Sequence, residues 1–221
     1  MKQEIYSAAQ LMEYVRQLGF LPLLPSGIRG FSADEVVAPD CGYVVFPDGG
    51  WDWPLWKWKG QMVTEGGLVY GKFFAGKAGF ISREWWPDFC NYRRSVHPAP
   101  AEGSIEEAIL ATLAAQDSLI TRELRAACGF TGPKMRSRFD AYVTRLQGAC
   151  RIVTEDFVYP QDRHGHDYGW GWSLLTLPER LYGRDACQCE RSPQESLQRI
   201  VAHLASRLPH ATEQQILRLV K

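Results

Sequence analysis

At 221 residues, with 45% hydrophobic and 23% charged side chains, the chain has the composition of a globular protein with one large or two small cores. Its 25 basic and 25 acidic residues cancel, which excludes a coat protein that holds nucleic acid by bulk positive charge. No run approaches the ~20 apolar residues that span a membrane, and Lys2 and Glu4 put charge too early for a secretory signal. The cytoplasm is therefore the expected compartment, with Cys41, Cys90, Cys128, Cys150, Cys187 and Cys189 as reduced thiols rather than a disulfide framework.

Residues 1–97 read as an aromatic-rich α+β unit. Ser7 and Gln10 make a capping box, Leu11, Tyr14, Val15 and Leu18 form an apolar stripe, and Gly19 ends the helix. After a turn-rich stretch, a short helix is predicted near 33–37. Trp51, Trp53, Trp56 and Trp58 alternate with polar residues and fit two readings: a half-buried strand, or aromatic faces for exposed bases. Ser82 is a good N-cap for a helix running through Trp86, Phe89 and Tyr92 to Arg94. The Pro-rich stretch 98–103 is the expected boundary.

Residues 103–182 read as a winged helix-turn-helix. Ser104 and Glu107 form a capping box before the first helix, and Thr121 offers an N-cap to the second. A third helix is predicted over about 135–147, with Met135, Phe139, Tyr142, Val143 and Leu146 facing inward. Residues 151–157 and 168–176 then make a hairpin whose tip, 161–167, is the wing. Gly169 and Gly171 flank Trp170, which allows a close backbone approach that brings that ring to the surface. Residues 190–221 hold two C-terminal helices, one opened by a Ser192–Glu195 capping box with Pro193 at its first position and one begun at Thr212. The fold class expected is α+β and mostly helical, with the winged helix of the C-terminal half packed on the N-terminal unit.

Positive charge gathers locally. Lys134, Arg136, Arg138, Arg145 and Arg151 face Asp140 alone on the third helix and its flanks. In the N-terminal unit, Lys57, Lys59, Lys72, Arg93 and Arg94 belong to a basic excess over 51–94. Both patches fit either an ordinary solvated face or a phosphate-facing surface, for which a few placed cations suffice. In a winged helix the third helix enters the major groove and the wing meets backbone or minor groove, so Arg163 and His164 join the candidates. Trp56, Trp58 and Trp170 are the base-stacking candidates. His164-x-His166 and Cys187-x-Cys189 lack partner clusters at ligand spacing, so neither a metal nor a cofactor is expected.

Trp56-Lys57-Trp58-Lys59, Tyr70-Gly71-Lys72-Phe73-Phe74, Gly76-Lys77-Ala78-Gly79-Phe80, Trp86-Pro87-Asp88-Phe89, Asn91-Tyr92-Arg93-Arg94 and Tyr168-Gly169-Trp170-Gly171 resemble a group of bacterial proteins related to the AlkZ/YcaQ-type DNA glycosylases. The resemblance covers about 5–182. It implies kinship with enzymes built from repeated winged helices that release alkylated or crosslinked bases from DNA. Their signature, a Gln-x-Asp or Gln-x-Gln that holds the attacking water, has no counterpart in the comparable stretch 18–24, which contains neither Gln nor Asp. The expected function is winged-helix DNA binding without that chemistry, with duplex or damaged DNA as partner. One alternative is an unconventional base-excision activity, with the aromatic block as base pocket and Asp or Glu elsewhere positioning water. Another is a protein-interaction module whose C-terminal amphipathic helix docks a partner or a second copy.

Overall fold

The computed structural model describes residues 4–132, 135–167 and 169–221. The architecture is α+β, with ten helices among the described residues and an antiparallel six-stranded sheet. The sheet runs β1-β5-β4-β7-β8-β6. Its N-terminal half is β1 (Phe20–Pro22), β4 (Val69–Phe74) and β5 (Lys77–Ile81); its other half is β6 (Leu119–Ile120), β7 (Val153–Val158) and β8 (Trp172–Thr176). The halves join where Tyr70 of β4 pairs with Thr154 of β7, so one sheet continues across the stretch 98–103. A separate ribbon pairs β2 (Val44–Val45) with β3 (Trp51–Asp52).

Apolar burial divides into two clusters. The larger takes α1 (Ala8–Leu18), α2 (Ala33–Val36), α3 (Pro54–Thr64), the β4–β5 hairpin, α4 (Trp86–Val96), α9 (Pro193–Arg207) and α10 (Glu213–Val220). The smaller lies among α5 (Ile105–Gln116), α6 (Thr121–Ala127) and α7 (Arg136–Gly148), through Ile109, Leu113, Leu124, Phe139, Val143 and Leu146. A short helix, α8 (Pro178–Tyr182), follows β8.

Local signals account for most element ends. Ser192 with Glu195, and Thr212 with Gln215, form reciprocal capping boxes at α9 and α10. Ser7 caps Gln10 N–H at 3.3 Å, while Gln10 reaches one residue further back, accepting from Tyr6 N–H at 2.7 Å. Glu107 likewise reaches past Ser104 to Gly103 N–H at 2.6 Å.

Several sequence expectations are corrected. The tryptophan alternation is not a continuous strand. Pro54 supplies a preset first turn, so Trp56 and Trp58 lie on α3, and Trp51 alone of the four is in a strand. Ser82 does not cap α4: the helix begins at Trp86, and the Ser82 hydroxyl is buried without a partner among the described residues. Thr121 is the first residue of α6, and its hydroxyl donates across to Ser173 O at 3.1 Å on β8. Met135 is 38% exposed rather than inward, because α7 begins one residue after it. The apolar stripe of the C-terminal helix is spent inside the chain: Leu197, Ile200, Leu204 and Leu208 are buried in the larger core, and α9 packs on α4. That face is not free for a partner or a second copy.

Candidate nucleic-acid interface

An aromatic cleft of about 520 Å³ opens where the β2–β3 ribbon and α3 meet the strand-connecting loop of β7 and β8. Trp51, Trp53, Trp56, Tyr159 and Trp170 supply rings, and Asp52, Lys57 and Asp167 supply charge. Its walls come from opposite halves of the sequence. Trp170 stacks on Trp51 at 5.2 Å and 18°, and meets Trp53 and Trp56 edge-on at 6.1 and 5.3 Å. Trp56 stacks on Trp53 at 4.9 Å and donates its indole N–H to Trp170 O at 3.1 Å. The Trp53 indole N–H has no acceptor among the described residues.

The local chain explains why these rings stay at the surface. Gly169 and Gly171 hold φ of 73° and 69°, a region that disfavours side chains. A Cβ on Gly171 would come within 2.9 Å of the Tyr159 ring. With both glycines in this conformation Trp170 is left 50% exposed, and Trp51 is 51% exposed. At the loop tip, Asp162 accepts from His164 N–H at 2.7 Å and His166 N–H at 3.0 Å, which with the His166 ring holds its carboxyl below the usual range.

Lys59 underlies this cleft. It is 1% exposed, with Nζ 3.7 Å over the Trp56 ring and 4.0 Å over Phe157, donating to Tyr159 Oη at 3.1 Å. Burial pulls its ammonium down from 10.5 to about 7, while the aromatic faces oppose that by favouring the cation. Lys57, by contrast, is exposed and pairs with Asp52 at 2.7 Å, which holds that carboxyl below its usual range.

The basic residues expected to form a phosphate track therefore separate. Lys59 and Arg93 lie in the interior, out of reach of a phosphate. Arg93 donates to Gly148 O at 2.6 Å, to Val220 O at 3.2 Å and to Lys221 O. Arg94 pairs with Glu179 at 2.6 Å and donates to Cys150 O at 2.7 Å, and Lys72 donates to Thr144 at 3.1 Å. These groups tie segments together, a role that no local pattern signals because their hydrogen-bond and ion-pair partners are more than fifty residues away. Arg145 is exposed and paired with Glu106 at 2.6 Å. Arg136 and Arg138 are exposed on the first turn of α7, with no ion pair among the described residues. Arg163 and His164 are exposed and touch each other at 3.0 Å. Lys134 lies outside the described residues. Trp58 is half-buried against the core and does not line the cleft. Sequence reasoning missed Trp51 and Trp53 as ring partners of Trp170, and Tyr159 as a wall of the same cleft. The two glycines around Trp170 were the available signal.

Residues 18–24 are equally informative. Gly19, with φ of 81°, packs against Trp85, and Phe20, Leu21 and Leu23 are buried with β1 hydrogen-bonded to β5. No group of three or more His, Cys, Asp or Glu side chains suited to a metal occurs among the described residues. No described helix is long and apolar enough to cross a membrane.

The fold and cleft define an α+β protein with an aromatic-walled site at the junction of its two halves. The model of the AlkZ-related family matches residues 5–221, nearly the whole chain, and the protein belongs to that family. Its relation to DNA-repair glycosylases follows from this membership. Neither curated proteins nor solved structures give a match.

Proposed function

We propose that the protein binds DNA through a winged helix and holds an unstacked base in the aromatic cleft at the root of the wing. The order α5–β6–α6–α7–β7–β8, with β6 paired to β8, supports the winged-helix reading. In that reading α7 is the recognition helix. Arg136 and Arg138 are its free cations, Arg145 reaches phosphate by exchanging Glu106, and Arg163 and His164 lie on the wing. Lys57 is an exposed cation lining the cleft. The observation that carries the reading is the Trp51–Trp170 stack, half exposed and framed by Trp53 and Trp56. Exposed rings beside cations suit single-stranded or extruded bases.

Catalysis is a second reading, favoured by the two carboxylates in the cleft. Asp52 is engaged by Lys57, whereas Asp167 takes, among the described residues, a 3.2 Å hydrogen bond from Gln161 and is the better placed to orient a water. Fluorescent duplex, single-stranded and abasic-site DNA, titrated over a salt series, test binding, and an alkylated duplex in the same tubes tests base release. Steep salt dependence with preference for unstacked DNA supports the first reading, and released base adds the second. No binding at low salt removes both.

A further inference from the structure

Three thiols from three distant segments meet behind α4. Cys90 lies on α4, Cys150 just past the end of α7, and Cys187 in the connector between α8 and α9. All are free cysteines, and the Cys90 thiol donates to Cys187 Sγ across 3.3 Å. Cys150 is also close enough to Cys90 to act on its thiol. Cys90 and Cys150 are fully enclosed, whereas Cys187 sits at the rim with 9% exposure. A thiol facing a second thiol at this separation needs about 1.2 Å of approach to reach a disulfide length of roughly 2.05 Å.

From this juxtaposition we infer that Cys187 and Cys90 form a reversible oxidation site, with Cys187 the sulfur that meets a peroxide and Cys90 the resolving thiol. The electrostatics divide the roles the same way. The hydrogen bond from Cys90 and the nearby Arg94 guanidinium hold the Cys187 thiol below its ordinary range, against the effect of burial. Burial and its two sulfur neighbours push Cys90 up, so it stays protonated. The thiolate is the nucleophile in such chemistry. Cys187 sulfur, having released its proton, attacks one peroxide oxygen: an S–O bond forms, the O–O bond breaks, and the departing hydroxide takes up that proton as water. Cys90 sulfur then attacks Cys187 sulfur: the S–S bond forms, the S–O bond breaks, and hydroxide leaves with the Cys90 proton as a second water. Two thiols and one hydrogen peroxide give one disulfide and two waters.

The crosslink would close a loop between residues 97 apart in sequence and fix α4 to the connector leading into α9. Constraining an unfolded loop of that length raises Tm by roughly 5–15 °C for a chain of this size. The test treats the full-length folded protein with dilute hydrogen peroxide, blocks remaining thiols and maps peptides without reduction. The expected result is a Cys90–Cys187 linked peptide, reversed by dithiothreitol, with the higher Tm. Cys90→Ser should stop at a sulfenic acid on Cys187 that dimedone captures, and Cys187→Ser should leave Cys90 unmodified. Circular dichroism checks that each variant is folded, and the wild-type map decides alone if one is not. A map linking Cys90 to Cys150 in place of Cys187, or one with Cys90 and Cys187 both still free thiols, overturns the inference.

Discussion

The α4–α9 seam and the aromatic cleft are both crowded with aromatic and charged residues, yet they treat them in opposite ways. At the seam the buried charge is matched within the chain. The buried Asp88 carboxylate accepts from Ser196 at 2.8 Å, Arg191 at 3.3 Å and Arg199, while Asn91 donates to Arg191 O at 2.7 Å. Arg199 lies 4.2 Å over the Trp85 ring, and His203 packs on that ring at 4.3 Å. At the cleft, rings are stacked on one another but half open, and the nearby β7–β8 loop carries the exposed Arg163 and His164. Matched groups hold a fold. Apolar rings left in water forgo the burial that would stabilise the chain, which is characteristic of a surface that meets something else.

That contrast can be broken most forcefully at the seam. Replacing Asp88 with Ala removes the buried acceptor shared by Ser196, Arg191 and Arg199 and should cost about 2–3 kcal/mol, the lost hydrogen bonds to a charged group, with the part-exposed guanidiniums turning to water. Urea denaturation measures it, and a loss under about 1 kcal/mol would mean the seam is held by apolar packing alone. Trp170→Ala should do the reverse, leaving stability nearly unchanged while weakening single-stranded DNA binding by about 1–3 kcal/mol. Equal losses in stability and binding would make Trp170 a packing residue.

The α7 surface should give a smaller effect. Arg136→Ala with Arg138→Ala should weaken duplex binding about tenfold and reduce the salt slope by about two, one for each lost phosphate contact. An unchanged slope takes α7 out of the interface.

The remaining test is the pH response of Lys59, whose size depends on how far the aromatic faces offset its burial. Its pKa falls from 10.5 unfolded to about 7 folded, so between those values the unfolded chain binds the extra proton. Stability from this group is therefore lowest below pH 7 and increases as pH rises toward 10, by at most about 1.4 kcal/mol per unit. Lys59→Met removes the amine and should remove that rise. Denaturation of both proteins at pH 6.5 and pH 9 tests it, and a constant difference between them would show that the aromatic faces keep Lys59 charged.

The same contrast marks what the sequence could reveal. The Ser192 and Thr212 capping boxes, the Gly19 stop and the inward face of Phe139, Val143 and Leu146 are local signals, and each is found in the fold. Pro54 was just as local but lost under the tryptophan alternation, which has the period of a strand while the chain is helical. Lys59, Arg93 and Arg94 were unreadable for a different reason. Their partners, Tyr159, Gly148 and Glu179, are distant in sequence, and a cation in a helix looks the same whether it faces water or a buried carbonyl. The cleft was half legible: the glycines announced Trp170, but nothing short-range announced that Trp51 would lie 5.2 Å beneath it.

The proposed function turns on the cleft aromatics receiving an unstacked base from bound DNA. Tryptophan fluorescence during titration with abasic-site and intact duplexes, at about 50 mM and about 200 mM salt, tests it most directly. The account predicts quenching that saturates at lower concentration with abasic-site DNA, weakens steeply with salt and disappears in Trp170→Ala. Quenching that is identical in Trp170→Ala, or absent at the lower salt, would contradict it.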